Sequence, residues 1–161
     1  MSLTALQYSV TAEWLHKCGI HNFIIRPDGK VDVSGHASVW WNRTILEARF
    51  GTVHGTFDVS ETQLASIAGF PEIINGDLLC YRTHIVSLSG IDKIVKQVRG
   101  NIKVNHNSTH LLGLLLIEGV VKLDTGSFRR DDILKKYIGT GDIISAQDEL
   151  LDAGFDWSAR L

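Results

Sequence analysis

Seven histidines, two cysteines and eighteen acidic residues are the side chains of this chain that could hold a metal or carry a reaction. His16, His21, His36, His54, His84, His106 and His110 never fall at zinc-ligand spacing with Cys18 or Cys80. His106 and His110 stand four apart and would share the face of a helix, but no acid or thiol follows at ligand spacing. Asp58, Ser60 and His84 would form a hydrolytic triad only if adjacent strands brought them together, and Ser60 lacks the glycine frame of a nucleophile elbow. Gly139-Thr140-Gly141 has neither the lysine nor the preceding strand of a phosphate-binding loop, and reads as a turn between helices. The sequence therefore gives no catalytic residue, no metal ligand and no cofactor site, and the expectation is a non-enzymatic protein.

The elements that would position any functional side chain must come from one domain, because 161 residues build one core of ordinary size. Apolar residues make up 44% and charged residues 21%, values of an ordered globular chain. The net charge of −2 argues against nucleic acid, since phosphate neutralisation needs a concentrated basic face. The nearest approach to one is Arg129-Arg130 followed by Lys135-Lys136, with acidic residues close by. The longest apolar run, Leu111 to Ile117, falls well short of the roughly 20 residues of a bilayer span, so no membrane partner is expected. Met1 to Gln7 shows no export signal, and the two cysteines read as reduced thiols of a cytoplasmic protein.

An internal repeat organises the middle of the chain. Gly35, Gly55, Gly76 and Gly100 are spaced by 20, 21 and 24 residues. Two positions before them stand Val33, Val53, Ile74 and Val98; two after, Ala37, Phe57, Leu78 and Ile102; four after, Val39, Val59, Cys80 and Val104. Every one is apolar, and a period of two places them on one face of a strand. Units this short cannot bury a face alone and must stack. The expectation is one parallel strand per repeat, with crossings made of loops or short 3₁₀ turns. The glycine row marks the tightest part of the interior or a bend in the strand. The 24-residue interval implies a small insertion around Lys93 to Val98.

The flanks read as caps. Thr11 would cap a helix carrying Trp14, Leu15 and Cys18, with an earlier turn from Leu3 as an alternative start and Gly19 as its end. Pro27-Asp28-Gly29 turns a hairpin between Asn22–Ile25 and Val31–Val33. Arg130–Ile138 and Asp142–Leu151 form two helices, the first with acids early and lysines late, as the helix dipole favours. The fold class is α+β: a short leucine-rich-repeat-like β-solenoid of about four stacked parallel strands. Residues 1–34 form a helix-and-hairpin cap, 35–118 the repeats and 119–161 the C-terminal helical cap.

Residues alternating with the apolar rows would face out. These rows are His36, Thr56, Asp77 and Asn101; then Ser38, Asp58, Leu79 and Lys103; then Trp40, Ser60, Tyr81 and Asn105. Trp40, Asp58, Leu79, Tyr81, Arg82 and Lys103 are the candidate partner-binding residues, because Trp, Tyr and Arg are the residues most enriched at interface hot spots. The competing reading is that a cap folds over this face and Trp40 and Tyr81 are core. Trp41 is assigned to the core, Trp14 to cap packing and Trp157 to anchoring the tail.

The stretch from Gly55 to Ile91 resembles the short leucine-rich-repeat-like units of small bacteriophage proteins, which read V-x-G-x-Φ-x-C followed by L-T-S-L-x-G-x-P. Gln63-Leu64-Ala65-Ser66-Ile67-Ala68-Gly69-Phe70-Pro71 follows the second element, and Arg26–Gly35 and Asp131–Phe155 resemble segments flanking such repeats. The family's asparagine ladder is replaced by Trp40-Trp41, Ser60-Glu61 and Tyr81-Arg82, and kept only at Asn105-His106. The resemblance implies a phage accessory protein in the host cytoplasm that binds and inhibits a host protein, such as a defence component, or binds another phage protein. It carries over no catalytic site. The alternatives are a small-molecule or glycan-binding protein or enzyme with a pocket between sheet and cap, and a structural homo-oligomer joined through sheet edges.

Overall fold

Thr4, rather than Thr11, starts the first helix in the computed structural model, which describes residues 4–40 and 42–161. The expectations placed on Leu3 and Trp41 lie outside those residues. Thr4 Oγ1 accepts the Gln7 N–H at 3.2 Å, and Gln7 Oε1 accepts the Thr4 N–H at 2.9 Å. This reciprocal box satisfies two of the donors a helix start leaves open, which Thr11 has no glutamine or glutamate three residues on to do. Helix α1 (Ala5–Lys17) buries Trp14 and Leu15, with Cys18 buried just past its end and Gly19 turning the chain out at φ +75°. Strands β1 (Phe23–Ile25) and β2 (Lys30–Val33) then pair antiparallel about the Pro27-Asp28-Gly29 turn.

The repeats form a β-solenoid of about four stacked turns, with two short strands per coil where the sequence suggested one. Each glycine sits at a corner between them. Before the corner run β2, β4 (Arg49–Val53), β6 (Ile73–Ile74) and β8 (Gln97–Val98). After it run β3 (Ala37–Ser38), β5 (Phe57–Asp58), β7 (Leu78–Cys80) and β9 (Asn101–Val104). The first set, led by β1, makes sheet A in the order β1-β2-β4-β6-β8. The second makes sheet B, β3-β5-β7-β9, extended past residue 118 by β10 (Lys122–Asp124). All pairings except β1–β2 are parallel. The apolar rows of the alignment are buried on both sides of the corner. Phe57 packs edge-on between Phe50 and Phe70, with ring centroids 5.2 and 5.4 Å away.

At the corner successive coils approach closely. A Cβ added to Gly76 would lie 2.7 Å from the carbonyl carbon of Gly55 and 2.7 Å from the Thr56 nitrogen, both backbone atoms with nowhere to go. At Gly35, in the first coil, a Cβ would meet nothing within 4 Å. Gly76→Ala should therefore cost about 1–3 kcal/mol of overpacking strain, lowering the thermal midpoint by roughly 2–12 °C, while Gly35→Ala should melt with the parent. Equal midpoints for the two variants would mean that the corner is not a stacked contact. After Gly35 and Gly76 the next residue serves the following coil: His36 Nδ1 accepts the Thr56 N–H at 2.9 Å, and Asp77 Oδ1 accepts the Asn101 N–H at 2.7 Å. Two members of the expected outward row are thus corner braces.

The third side of each coil is mostly irregular, filled by Leu64, Ile67 and Phe70, then Ile85, Leu88 and Ile91, then Leu111, Leu112, Leu114 and Leu115. The longer interval holds one helical turn, α2 (Ile91–Ile94), and the last crossing a 3₁₀ turn at Leu112–Leu116. Helices α3 (Phe128–Lys135) and α4 (Ile143–Asp152) close the C-terminal end by packing on β10, on that 3₁₀ turn and on each other. Gly139 and Gly141, both at positive φ, turn between them.

Arg130 holds this cap to the coils. It is 5% exposed, and its guanidinium donates to Thr125 Oγ1 (2.8 Å), the Thr125 carbonyl (2.6 Å), the His106 carbonyl (2.8 Å) and Ser158 Oγ (3.1 Å). The Arg129-Arg130 doublet is therefore not a basic patch. Trp157, read as the tail's anchor, is 62% exposed; buried Ser158 and Ala159 anchor the tail instead. Cys18 and Cys80 are free and buried, and burial pushes the Cys80 thiol up to about 12. No helix among the described residues is long and apolar enough to cross a membrane.

Candidate functional site

Sheet B sets the candidate residues in register. Parallel pairing aligns Ser38 with Asp58, Asp58 with Leu79, Leu79 with Lys103, and Lys103 with Asp124. These five form one ladder across the outer face, since their neighbours in each strand point into the core. Trp40, Ser60 and Tyr81 occupy the next row. Trp40 is 62% exposed, and Asp58, Leu79, Tyr81 and Lys103 are half-buried. Helices α3 and α4 sit at the end of the solenoid against β10, so Trp40 is not core beneath them.

Asn105, expected in the outward row, is an exception. It is 7% exposed, and its side chain donates to the Thr83 carbonyl at 3.0 Å and the Ile85 carbonyl at 2.9 Å while accepting the Thr83 N–H at 3.3 Å. A buried amide with both ends satisfied by the preceding coil is a structural brace. The other rungs leave their backbone to side-chain hydroxyls: Thr62 and Thr83 each donate to the carbonyl three residues back.

Two ion pairs on this face run from coil to coil. Arg82 Nη1 meets Glu61 Oε1 at 2.7 Å, and both residues hold left-handed backbone at φ +53° and +59°. Lys103 Nζ lies 3.3 Å from Asp124 and 4.7 Å from the centroid of the Tyr81 ring, a cation–π contact. Glu61 and Asp124 were not singled out from sequence, although each precedes or follows its partner by 21 residues, one coil length. Asp58 Oδ1 accepts both the backbone N–H of Ser60 at 2.9 Å and its hydroxyl at 2.5 Å. An open groove of about 620 Å³ runs over these side chains, lined by Ser38, Trp40, Asp58, Ser60, Glu61 and Tyr81 among others.

Asp58 and Ser60 do meet, but His84 forms no hydrogen bond with either among the described residues, and the serine hydroxyl is already donated to the aspartate. His106 and His110 share no helix; His110 sits in left-handed backbone at φ +58°. Among the described residues no three His, Cys, Asp or Glu side chains gather where they could hold a metal ion. The arrangement offers flat aromatic surface, an exposed charge pair and a carboxylate, which suits non-covalent recognition. Comparison with known proteins returned no matching family model, no matching curated protein and no matching solved structure.

Proposed function

We propose that this chain is a non-enzymatic binding module and that the outer face of sheet B is where its protein partner sits. The observation that carries this reading is Trp40: a largely exposed indole just past β3, on the face that also presents Leu79, Tyr81, the Arg82–Glu61 pair and Lys103. Leaving an indole in water is unfavourable by a few kcal/mol relative to burying it, and a partner that covers it recovers that energy at the centre of an interface. The resemblance to phage repeat proteins, which rests on sequence alone, points to a host protein or another phage protein in the host cytoplasm as the partner, with inhibition of a host defence component as the outcome. The open groove between Trp40 and Tyr81 favours a second reading, a small polar ligand such as a saccharide.

The test is affinity capture from host lysate with the tagged chain beside a Trp40→Ala/Tyr81→Ala double variant. A protein retained by the parent should be lost from the double variant, since hot-spot truncations cost about 2–4 kcal/mol each. Arg82→Ala should weaken the same capture while leaving the thermal midpoint within about 2 °C of the parent, because an exposed ion pair contributes little to stability. Equal capture by parent and folded double variant would rule out this face.

A further inference from the structure

One charge on the outer face of sheet B has no counter-charge among the described residues. Asp58 lies half-buried in the groove, Oδ1 committed to Ser60 and Oδ2 without a hydrogen-bond partner among the described residues. No lysine, arginine or histidine among the described residues stands within 4 Å of its carboxylate. The charges around it are matched, Glu61 by Arg82 and Lys103 by Asp124. A partly desolvated carboxylate gains most from a ligand that brings the opposite charge.

The walls narrow the choice of cation. Trp40 and Tyr81 flank Asp58 along the groove, one on the coil before and one on the coil after. Tyr81 already carries the Lys103 ammonium against its ring at 4.7 Å. No cation stands over the Trp40 ring among the described residues. Indole is the best of the three aromatic rings for a cation–π contact, and a planar guanidinium can stack on it while its edge donates to the open Oδ2 of the Asp58 carboxylate. An ammonium can do only one of these well.

We infer that the groove receives an arginine side chain of the protein partner, its guanidinium bonded to Asp58 and laid against Trp40. This rests on the reading of sheet B as a protein-binding face. A saccharide would also stack on the indole, but it would leave the Asp58 charge unneutralised.

The experiment uses the full chain labelled with ¹⁵N, following the Trp40 indole N–H while N-acetyl-arginine-N-methylamide is added. The lysine and glutamate analogues and maltotriose are added in parallel. The arginine probe should shift the Trp40 resonance with saturation in the millimolar range, and more strongly than the lysine probe. Asp58→Asn, which keeps the acceptor for the Ser60 N–H, should weaken the arginine probe by about tenfold. Trp40→Leu, read from the Tyr81 ring signals, should weaken it comparably. No shift with arginine, an equal shift in Asp58→Asn, or preference for maltotriose would overturn the inference. Partner capture that depends on Leu79 and Tyr81 while the arginine probe is silent would sink the arginine pocket alone and leave the face standing.

Discussion

Phe57→Asp should abolish folding. Phe57 is fully buried and is the ring through which Phe50 and Phe70 meet, so its removal costs about 3–5 kcal/mol in lost burial and residual cavity. The carboxylate put in its place has no partner in the surrounding apolar core and must either be desolvated or take up a proton, which adds several kcal/mol. The sum, roughly 6 kcal/mol or more, is comparable to the whole stability of a domain of this size. Far-ultraviolet circular dichroism should show loss of the strand signal, whereas Phe57→Leu, a smaller apolar change, should fold with a lowered midpoint. A Phe57→Asp variant that melts like the parent would mean that β5 presents its other face to the core.

Arg130→Ala should be the most damaging change among the polar residues, at about 3–5 kcal/mol. Three acceptors, the Thr125 and His106 carbonyls and Thr125 Oγ1, would lose a charged donor at short range, and each buried acceptor left open costs about 1–3 kcal/mol. Burial opposes the Arg130 charge, lowering it from the usual arginine range, and Asp131 partly counters that. The side chain is therefore retained for its bonds, not for solvation. Arg130→Met restores most of the volume and none of the donors, so it should recover little. Because Arg130 ties α3 and the tail to the His106 turn, hydrogen exchange in residues 125–161 should accelerate before the coils open. A loss under about 1 kcal/mol in Arg130→Ala would show that the cap is held by apolar contacts alone.

The solenoid was legible in the sequence because its period and its apolar rows are the same physical fact. Val53, Phe57 and Val59, and their equivalents above and below, must alternate inward for stacked coils to share a core. The division into two sheets was not legible, because the corner at Gly55 keeps the two-residue alternation going and so reads as one strand. The hairpin and the glycine turns were plain from Pro27-Asp28-Gly29 and Gly139-Thr140-Gly141. The start of α1 was obscured because Thr11 is as good a single cap as Thr4, and only the Gln7 reciprocal bond separates them. Asn105 and Arg130 read as surface residues by polarity alone. Their burial depends on carbonyls supplied by other coils, which a single sequence does not align. Trp157 fails in the opposite sense: an aromatic near the terminus reads as an anchor, yet the backbone around Ser158 makes the attachment. At the candidate face, the outward positions of Trp40, Asp58, Leu79 and Lys103 followed from alternation, while the pairing of Arg82 with Glu61 and of Lys103 with Asp124 required the stacking of one coil on the next.

Trp40 and Trp157 are equally exposed, each at 62%, but only Trp40 lies on sheet B's outer face, which makes them internal controls for each other. Hydroxyl-radical footprinting read by mass spectrometry would compare them directly. In the free protein both indoles should oxidise readily and Trp14, buried at 3% exposure, should not. With the captured partner bound, oxidation of Trp40 and Tyr81 should fall severalfold while Trp157 stays as reactive as before. Protection of Trp157 with Trp40 unchanged would place the partner elsewhere and contradict the account.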